Sequence, residues 1–445
     1  MELITLDQAL AQLRAALEQG DLAQASTIIE GFHPADQADL VAELEGPDQV
    51  TLITQLAPSE SADVLEEMRD EDAAALAELL SPGDLAEILD EMEADEAADV
   101  LGDLPAEHAA EALREMEEPQ GVIPLLRYPD DTAGGLMTPA VVTLRHNWTA
   151  ENALAELRRV GPSTESTYFL VVTDDEDVLL GAVGLRALVS ARSETPINVL
   201  MEPDVIAVPV TTDQEDCART LSRYGFLALP VVDEIGRLVG VITADDLIAV
   251  AEAEATEDMY RMVGITGEER VFGPVHLSVF KRLPWLAINM LTLFIAITVV
   301  DAFESVIAGL VALAVFLPLV AGEGGNAGSQ TTTVIVRGIA MGEVDERNGL
   351  RALKREVAVA FINGAVVGFG TALVVLLWKG EWVISLAIFL AMVLNFVTGA
   401  VAGVLVPLGL KRINVDPALA SAAFVTGFTD TLGFFFFLGI AAVLM

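Results

Sequence analysis

The chain is poor in the residues that carry redox, metal-cluster and nucleic-acid chemistry. Its 445 residues include one cysteine, Cys217, and four scattered histidines, His33, His108, His146 and His276. A single cysteine excludes an internal disulfide, and no Cys/His cluster suggests zinc. Basic residues are scarce as well: 24 Lys and Arg stand against 67 Asp and Glu, a formal charge of −43. A nucleic-acid partner wants a basic surface, so none is expected. Residues 1–5 offer neither a basic nor an apolar signal region, and the soluble part is therefore expected to stay in the cytoplasm. There is no nucleophile elbow, phosphate-binding loop or histidine constellation, and the chain is not expected to be an enzyme.

What is present divides sharply along the chain. Residues 1–128 hold about 32 carboxylates and 4 arginines, whereas residues 283–445 are mostly apolar. Within the acidic part, residues 34–117 form seven consecutive twelve-residue units beginning at Pro34, Gly46, Pro58, Asp70, Pro82, Ala94 and Ala106. Their eleventh positions are Leu44, Leu56, Met68, Leu80, Met92, Leu104 and Met116, and the third is acidic in six of seven. Twelve residues allow one short helix and a turn, and an acid in the first turn complements the helix dipole. The expectation is an all-α superhelix of short stacked helices over residues 1–130. Its charge reads either as a solvated face or as a surface for divalent cations, which take oxygen ligands.

A second, looser duplication covers residues 131–250. Short β-branched runs between helical patterns fit two βαββα units. The first has a helix at Ala150–Val160, strands at 168–173 and 181–183 and a helix at 185–191; the second has a helix at 213–224, strands at Ala228–Val232 and 238–242 and a helix from Asp245. Residues 247–280 read as a helix running out of this pair, with 251–280 as connector. Glu254, Glu257 and Asp258 share one of its faces, and such like charges repel unless a cation sits there. The connector is thus an exposed linker or a metal-sensing one.

Residues 281–445 read as a polytopic α-helical membrane domain with five spans, at about 283–302, 305–341, 351–378, 381–409 and 417–444. Nine basic residues, from Lys281 to Arg412, fall on one side and only Lys379 on the other, which puts the N-terminal domains inside and the C-terminus outside. The second span carries Gly322, Gly324, Gly325 and Gly328 with Glu323, Asn326 and Gln330. The expected reading is glycine-broken backbone lining a watery path; a close crossing of helices on small residues is the alternative. Asp430 lies mid-span, with Thr426, Thr429 and Thr431 as further oxygens and no basic residue near it in sequence. Such a carboxylate is protonated, paired or faces a pore that holds a cation. Oxygen ligands without thiolate or imidazole favour Mg²⁺, Ca²⁺ or Mn²⁺, and one aspartate suits a hydrated Mg²⁺.

The motifs at 324–330 (GGNAGSQ), 337–343 (RGIAMGE), 416–419 (DPAL) and 429–433 (TDTLG) together resemble the MgtE family of magnesium channels, over the whole chain. The duplicated α/β segment resembles a tandem of CBS domains, and Gly240–Asp246 looks like their ribose-contacting signature with Thr243 and Asp246 in the two roles. The first copy lacks that Thr and Asp, so ATP is expected at one site at most. The resemblance implies a homodimer in the lipid bilayer of the plasma (inner) membrane, with Mg²⁺ as cargo. It implies Asp430, Asn326 and Thr426 as pore ligands, and Gly325, Gly328, Gln330 and Glu356 as pore structure. Asp246, Glu254, Glu257, Asp258 and Asp416 would be sensing residues. Cytosolic Mg²⁺ bound between superhelix, CBS pair and connecting helix would then close the pore. A broader divalent carrier for Mn²⁺ or Co²⁺ is the alternative. The sequence departs from the family pattern at Ser329 and Ala422, where asparagine is usual.

Overall fold

The computed structural model describes residues 5–139, 141–160, 169–265, 269, 271, 273–345, 347–419 and 422–445. They fall into two compact units, Met1–Ala251 and Glu252–Met445.

The first unit opens with helices α1 (Leu6–Glu18) and α2 (Leu22–Ile29), followed by α3 (Pro34–Ala42), α4 (Gly46–Ile53), α5 (Pro58–Glu66), α6 (Asp70–Leu79), α7 (Pro82–Leu89), α8 (Ala94–Asp103) and α9 (Ala106–Glu115). Each of the seven repeat units starts a helix at its first residue. All seven eleventh-position side chains are buried, from Leu80 at 2% to Leu56 and Met92 at 8% exposure. The period has a second layer that the spacing did not reveal: each helix packs on the second one along, α3 on α5, α4 on α6, α5 on α7, α6 on α8 and α7 on α9. Carboxylates tie the helices together by accepting from free amide groups, at a helix start and in the segment after α9. Glu66 accepts from the Glu93 amide at 2.7 Å, just before α8. Asp90 accepts from the amides of Glu117 and Glu118.

Two α/β modules follow. The first contains β1 (Thr143–Arg145), α10 (Ala150–Val160), β2 (Phe169–Thr173), β3 (Leu179–Gly184), α11 (Leu185–Ser190) and α12 (Ile197–Leu200). The second contains β4 (Val208–Pro209), α13 (Gln214–Tyr224), β5 (Ala228–Val232), β6 (Leu238–Thr243) and α14 (Ala244–Met262). Both sheets have the same order: the first strand runs parallel to the second, and the second is antiparallel to the third. The expected strands and helices are found within two residues of their expected bounds; Tyr168 lies outside the described residues. The connector differs from expectation. It is not one helix to residue 280, because α14 ends at Met262 and Gly264 follows with a φ of +79°. A side chain at Gly264 would also run into the Trp285 indole.

Among the described residues the second unit holds five helices long and apolar enough to cross a membrane. They are α15 (Val275–Ala302), α17 (Leu317–Ala340), α18 (Gly349–Lys379), α19 (Trp382–Arg412) and α20 (Ala422–Leu444), with the short α16 (Glu304–Gly309) after the first. Two expectations are corrected. The first span starts at Val275, ahead of Lys281 and Arg282, which continue the helix. The glycine-rich stretch is unbroken helix within α17; the break lies earlier, at Leu310 and the 3₁₀ turn Val311–Phe316. The physical reason is packing. Gly328 meets Gly399 of α19 and Val425 of α20, and a Cβ built on it would stand 2.5 Å from Val425 Cγ1. The glycines serve close helix crossings, where small residues let backbones approach.

Candidate ion path and sensing carboxylates

The residues expected around the ion separate into two groups. Asp430 is 7% exposed in the middle of α20, on a helix that packs against α15, α17 and α19. Thr426, one turn before it, lies beside Gly325: a Cβ there would be 3.7 Å from the Thr426 side chain. Thr429 is fully buried, and its hydroxyl donates to the Thr426 carbonyl at 3.0 Å. Among the described residues nothing forms a hydrogen bond or ion pair with the Asp430 carboxyl group.

Asn326 and Gln330 face elsewhere. With Glu323 they line a cavity of about 360 Å³ whose far wall is α18, through Arg355, Glu356 and Asn363. Glu356 is buried there and ion-paired with the Arg355 guanidinium. Asn326, Gln330 and Glu356 therefore share one polar cavity, and Asp430 and Thr426 are not among its lining residues. Helical geometry explains the split, since positions 325 and 326 lie about 100° apart around α17.

In the second unit, Glu254, Glu257 and Asp258 sit half-exposed on α14, and Asp416 precedes the 3₁₀ turn Pro417–Leu419. Arg261, one turn after Glu257, joins two of them: its guanidinium ion-pairs with both Glu257 and Asp416. Asp416 also accepts from the Ala418 amide at 2.7 Å. Arg261 was missed in the sequence because it reads as one more exposed charge at a helix end.

In the first unit, Thr243 and Asp246 bond each other, the Asp246 carboxylate accepting from the Thr243 hydroxyl at 2.6 Å and its amide at 3.1 Å. A nearby cavity of about 150 Å³ is lined by Val141, Thr143, Thr173, Asp177, Leu238 and Gly240, without either of them. Asp246 also faces acids of the superhelix. Asp95 is 7% exposed; one carboxylate oxygen accepts from the Thr138 hydroxyl at 2.5 Å and the other is buried without a partner. Burial pushes its pKa up to about 6, and the Asp246 charge adds to the rise. Burial likewise raises Glu96 to about 9, with Asp95 and Asp99 contributing, and Asp99 to about 8, with Asp130 and Asp70 contributing. Asp246 is raised as well, chiefly by burial. These shifts have the sign of carboxylates that want a proton or a cation. Among the described residues, no three His, Cys, Asp or Glu stand close enough to form a complete metal-holding group.

Together these features define a membrane-crossing helical bundle with a buried acid, carried by a chain whose other half is an acidic superhelix and an α/β pair. Comparisons with known proteins agree. Residues 317–440 match the MgtE divalent cation transporter family, 32–131 the MgtE intracellular N domain, and 133–194 and 197–253 the CBS domain. The chain is 38% identical to the magnesium transporter MgtE of Thermus thermophilus, over 72% of each. It is 33% identical to that of Bacillus subtilis, over 73% of this chain and 72% of the other. A solved structure of the cytosolic domain of the Mg²⁺ channel MgtE in complex with ATP, 37% identical, covers 54% of this chain and 99% of its own, with a TM-score of 0.51. The chain belongs to the MgtE family of divalent cation transporters.

Proposed function

We propose that this protein carries Mg²⁺ across the plasma (inner) membrane as a homodimer, with the superhelix and CBS pair in the cytoplasm and the C-terminus outside. The relatives named magnesium transporters support the cargo. One observation carries the mechanism: a buried carboxyl group, Asp430, in the middle of a membrane-spanning helix, with no protein partner among the described residues. Burying an ionised carboxylate in hydrocarbon is costly unless a cation accompanies it. Mg²⁺ sheds its water reluctantly, so a single carboxylate that grips the hydrated ion is a fitting ligand. Thr426 adds a nearby oxygen, while Asn326, Gln330 and Glu356 keep a neighbouring groove polar.

Closure by internal Mg²⁺ belongs to the same proposal. Asp246 and the acids around it, Glu254, Glu257, Asp258 and Asp416 are the sensing carboxylates, and binding there favours the closed state by mass action. Arg261 already bridges Glu257 and Asp416, so the inner-mouth contact has a divalent-free component. ATP at Thr243 and Asp246 is a further element, supported by the ATP-bound relative. The test is Mg²⁺ uptake by proteoliposomes. Wild-type protein should take up Mg²⁺ and Asp430→Ala should not, while both remain folded dimers by size-exclusion chromatography. Undiminished uptake by Asp430→Ala would remove the pore assignment; equal uptake of Mn²⁺ or Co²⁺ in competition would replace Mg²⁺ selectivity with a broader divalent carrier.

A further inference from the structure

A second polar group lies inside the bundle near Asp430. Asn395, in the middle of α19, is fully buried. Its side-chain NH₂ donates to the Val320 carbonyl of α17 at 3.0 Å. That bond settles the orientation of the amide, because only the NH₂ end can donate to a carbonyl. The other end, Oδ1, is buried with no hydrogen-bond partner.

Two glycines make room for the amide. A Cβ on Gly324 of α17 would collide with it, and a Cβ on Gly433 of α20 would stand 2.5 Å from Nδ2. Gly433 follows Asp430 by three residues, a rise of about 4.5 Å along the helix. The Asn395 amide is thus wedged where three helices meet, one turn from the buried carboxyl group. An orphaned amide oxygen is costly and calls for an explanation. Two nearby hydroxyls are committed to their own helices: Thr429 donates to the Thr426 carbonyl and Thr332 to the Gly328 carbonyl, each at 3.0 Å. Among the described residues none donates to Oδ1, which leaves it open to a donor from outside the protein.

We propose that the Asn395 carbonyl oxygen is a specificity-determining acceptor of the ion path, taking a hydrogen bond from the water shell of a divalent cation held at Asp430. The magnitudes favour a shell contact over direct ligation. Mg²⁺ holds its inner oxygens at about 2.1 Å, whereas Gly433, against which the amide packs, lies one helical turn beyond Asp430 along α20. An acceptor at that spacing reaches the ion's waters and not the ion. In the packing described here Gly324 and Gly433 flank the amide, and the proposal requires α17 and α20 to part for the oxygen to be reached. The inference rests on the proposed Mg²⁺ transport.

The rival role is that of a clamp between helices, and a split of kinetic constants separates the two. Mg²⁺ uptake by proteoliposomes would be measured for wild type, Asn395→Leu and Asn395→Asp, giving a half-saturating concentration and a maximal flux for each. An acceptor of ion-bound water predicts that Asn395→Leu raises the half-saturating concentration about tenfold, the loss of one hydrogen bond to a charged hydrate. Asn395→Asp, which keeps an oxygen and adds charge, should lower it. A clamp predicts that both variants lose maximal flux and thermal stability at an unchanged half-saturating concentration, and that result would overturn the proposal. So would two variants indistinguishable from wild type. A wild-type protein that takes up no Mg²⁺ would remove the transport reading itself, and this inference with it.

Discussion

Asp95 and Asp430 are equally buried, each 7% exposed, but they sit in opposite company. Asp95 belongs to a crowd: Asp246, Glu96 and Asp99 lie within electrostatic reach, and burial together with their charge raises the pKa values of the group. Asp430 stands alone in an apolar helix, without an ion pair among the described residues. The difference separates two uses of a carboxylate. In the acidic superhelix each charge is one of many, and protons or divalent ions can relieve the repulsion by degrees. In the bundle there is one acid in α20, and under the proposed function its cost is offset by the cation it binds.

The comparison breaks most sharply at Asp430. Asp430→Asn keeps the shape and removes the charge, so Mg²⁺ flux should fall about ten- to hundredfold, the scale of a lost charge-assisted contact. Thermal stability should hold or rise. Retained flux with lost stability would make Asp430 a structural acid and erase the contrast with Asp95.

A smaller effect is expected at Arg261. With Arg261→Gln, Glu257 and Asp416 lose the cation that now joins them. Partly exposed pairs are worth up to about 1 kcal/mol each. Flux without internal divalent ions should therefore rise severalfold, and closure should depend more steeply on internal Mg²⁺. Neutralising Glu254, Glu257 and Asp258 together should move closure to higher Mg²⁺. Unchanged flux in Arg261→Gln would show that the bridge holds nothing shut.

How much of this was legible in the sequence follows from the range of the forces involved. The twelve-residue period announced every start from α3 to α9, because a turn, a first-turn acid and a buried eleventh residue are local features. The two α/β modules were legible for the same reason. Their register, and the packing of each helix on the second one along, are long-range and left no local mark. Glycine misled within α17: Gly324, Gly325 and Gly328 read as a break, but their missing side chains answer Asn395, Thr426 and Val425, which lie far away in sequence. Asp430 was conspicuous because a charge within an apolar run is rare. Asn395, Arg261 and Asp95 were not, since each gains its meaning only from the partner it meets or lacks.

The last expected effect lies at Asp95 and falls on stability rather than on flux. An unfolded chain would titrate Asp95 near its ordinary value of 3.8, and the folded protein holds it up to about 6. Below the first value the group is neutral in both states and costs nothing. Above the second it is charged in both, and the folded state bears the full cost of burying that charge. Stability in a chelator should therefore fall as pH rises from about 4 to 6, by up to roughly 3 kcal/mol at 1.36 kcal/mol per pKa unit. Asp95→Asn removes the charge and keeps the shape. It should melt higher than wild type at pH 7 in chelator, and the advantage should shrink to nothing by pH 4. Added Mg²⁺ should narrow the gap as well, because a bound cation neutralises in wild type what the substitution deletes. Melting curves at pH 4, 5, 6 and 7, with and without Mg²⁺, provide the measurement. If Asp95→Asn is instead less stable at pH 7 in chelator, the bond to Thr138 outweighs the buried charge, and Asp95 would no longer stand as the crowded counterpart of Asp430.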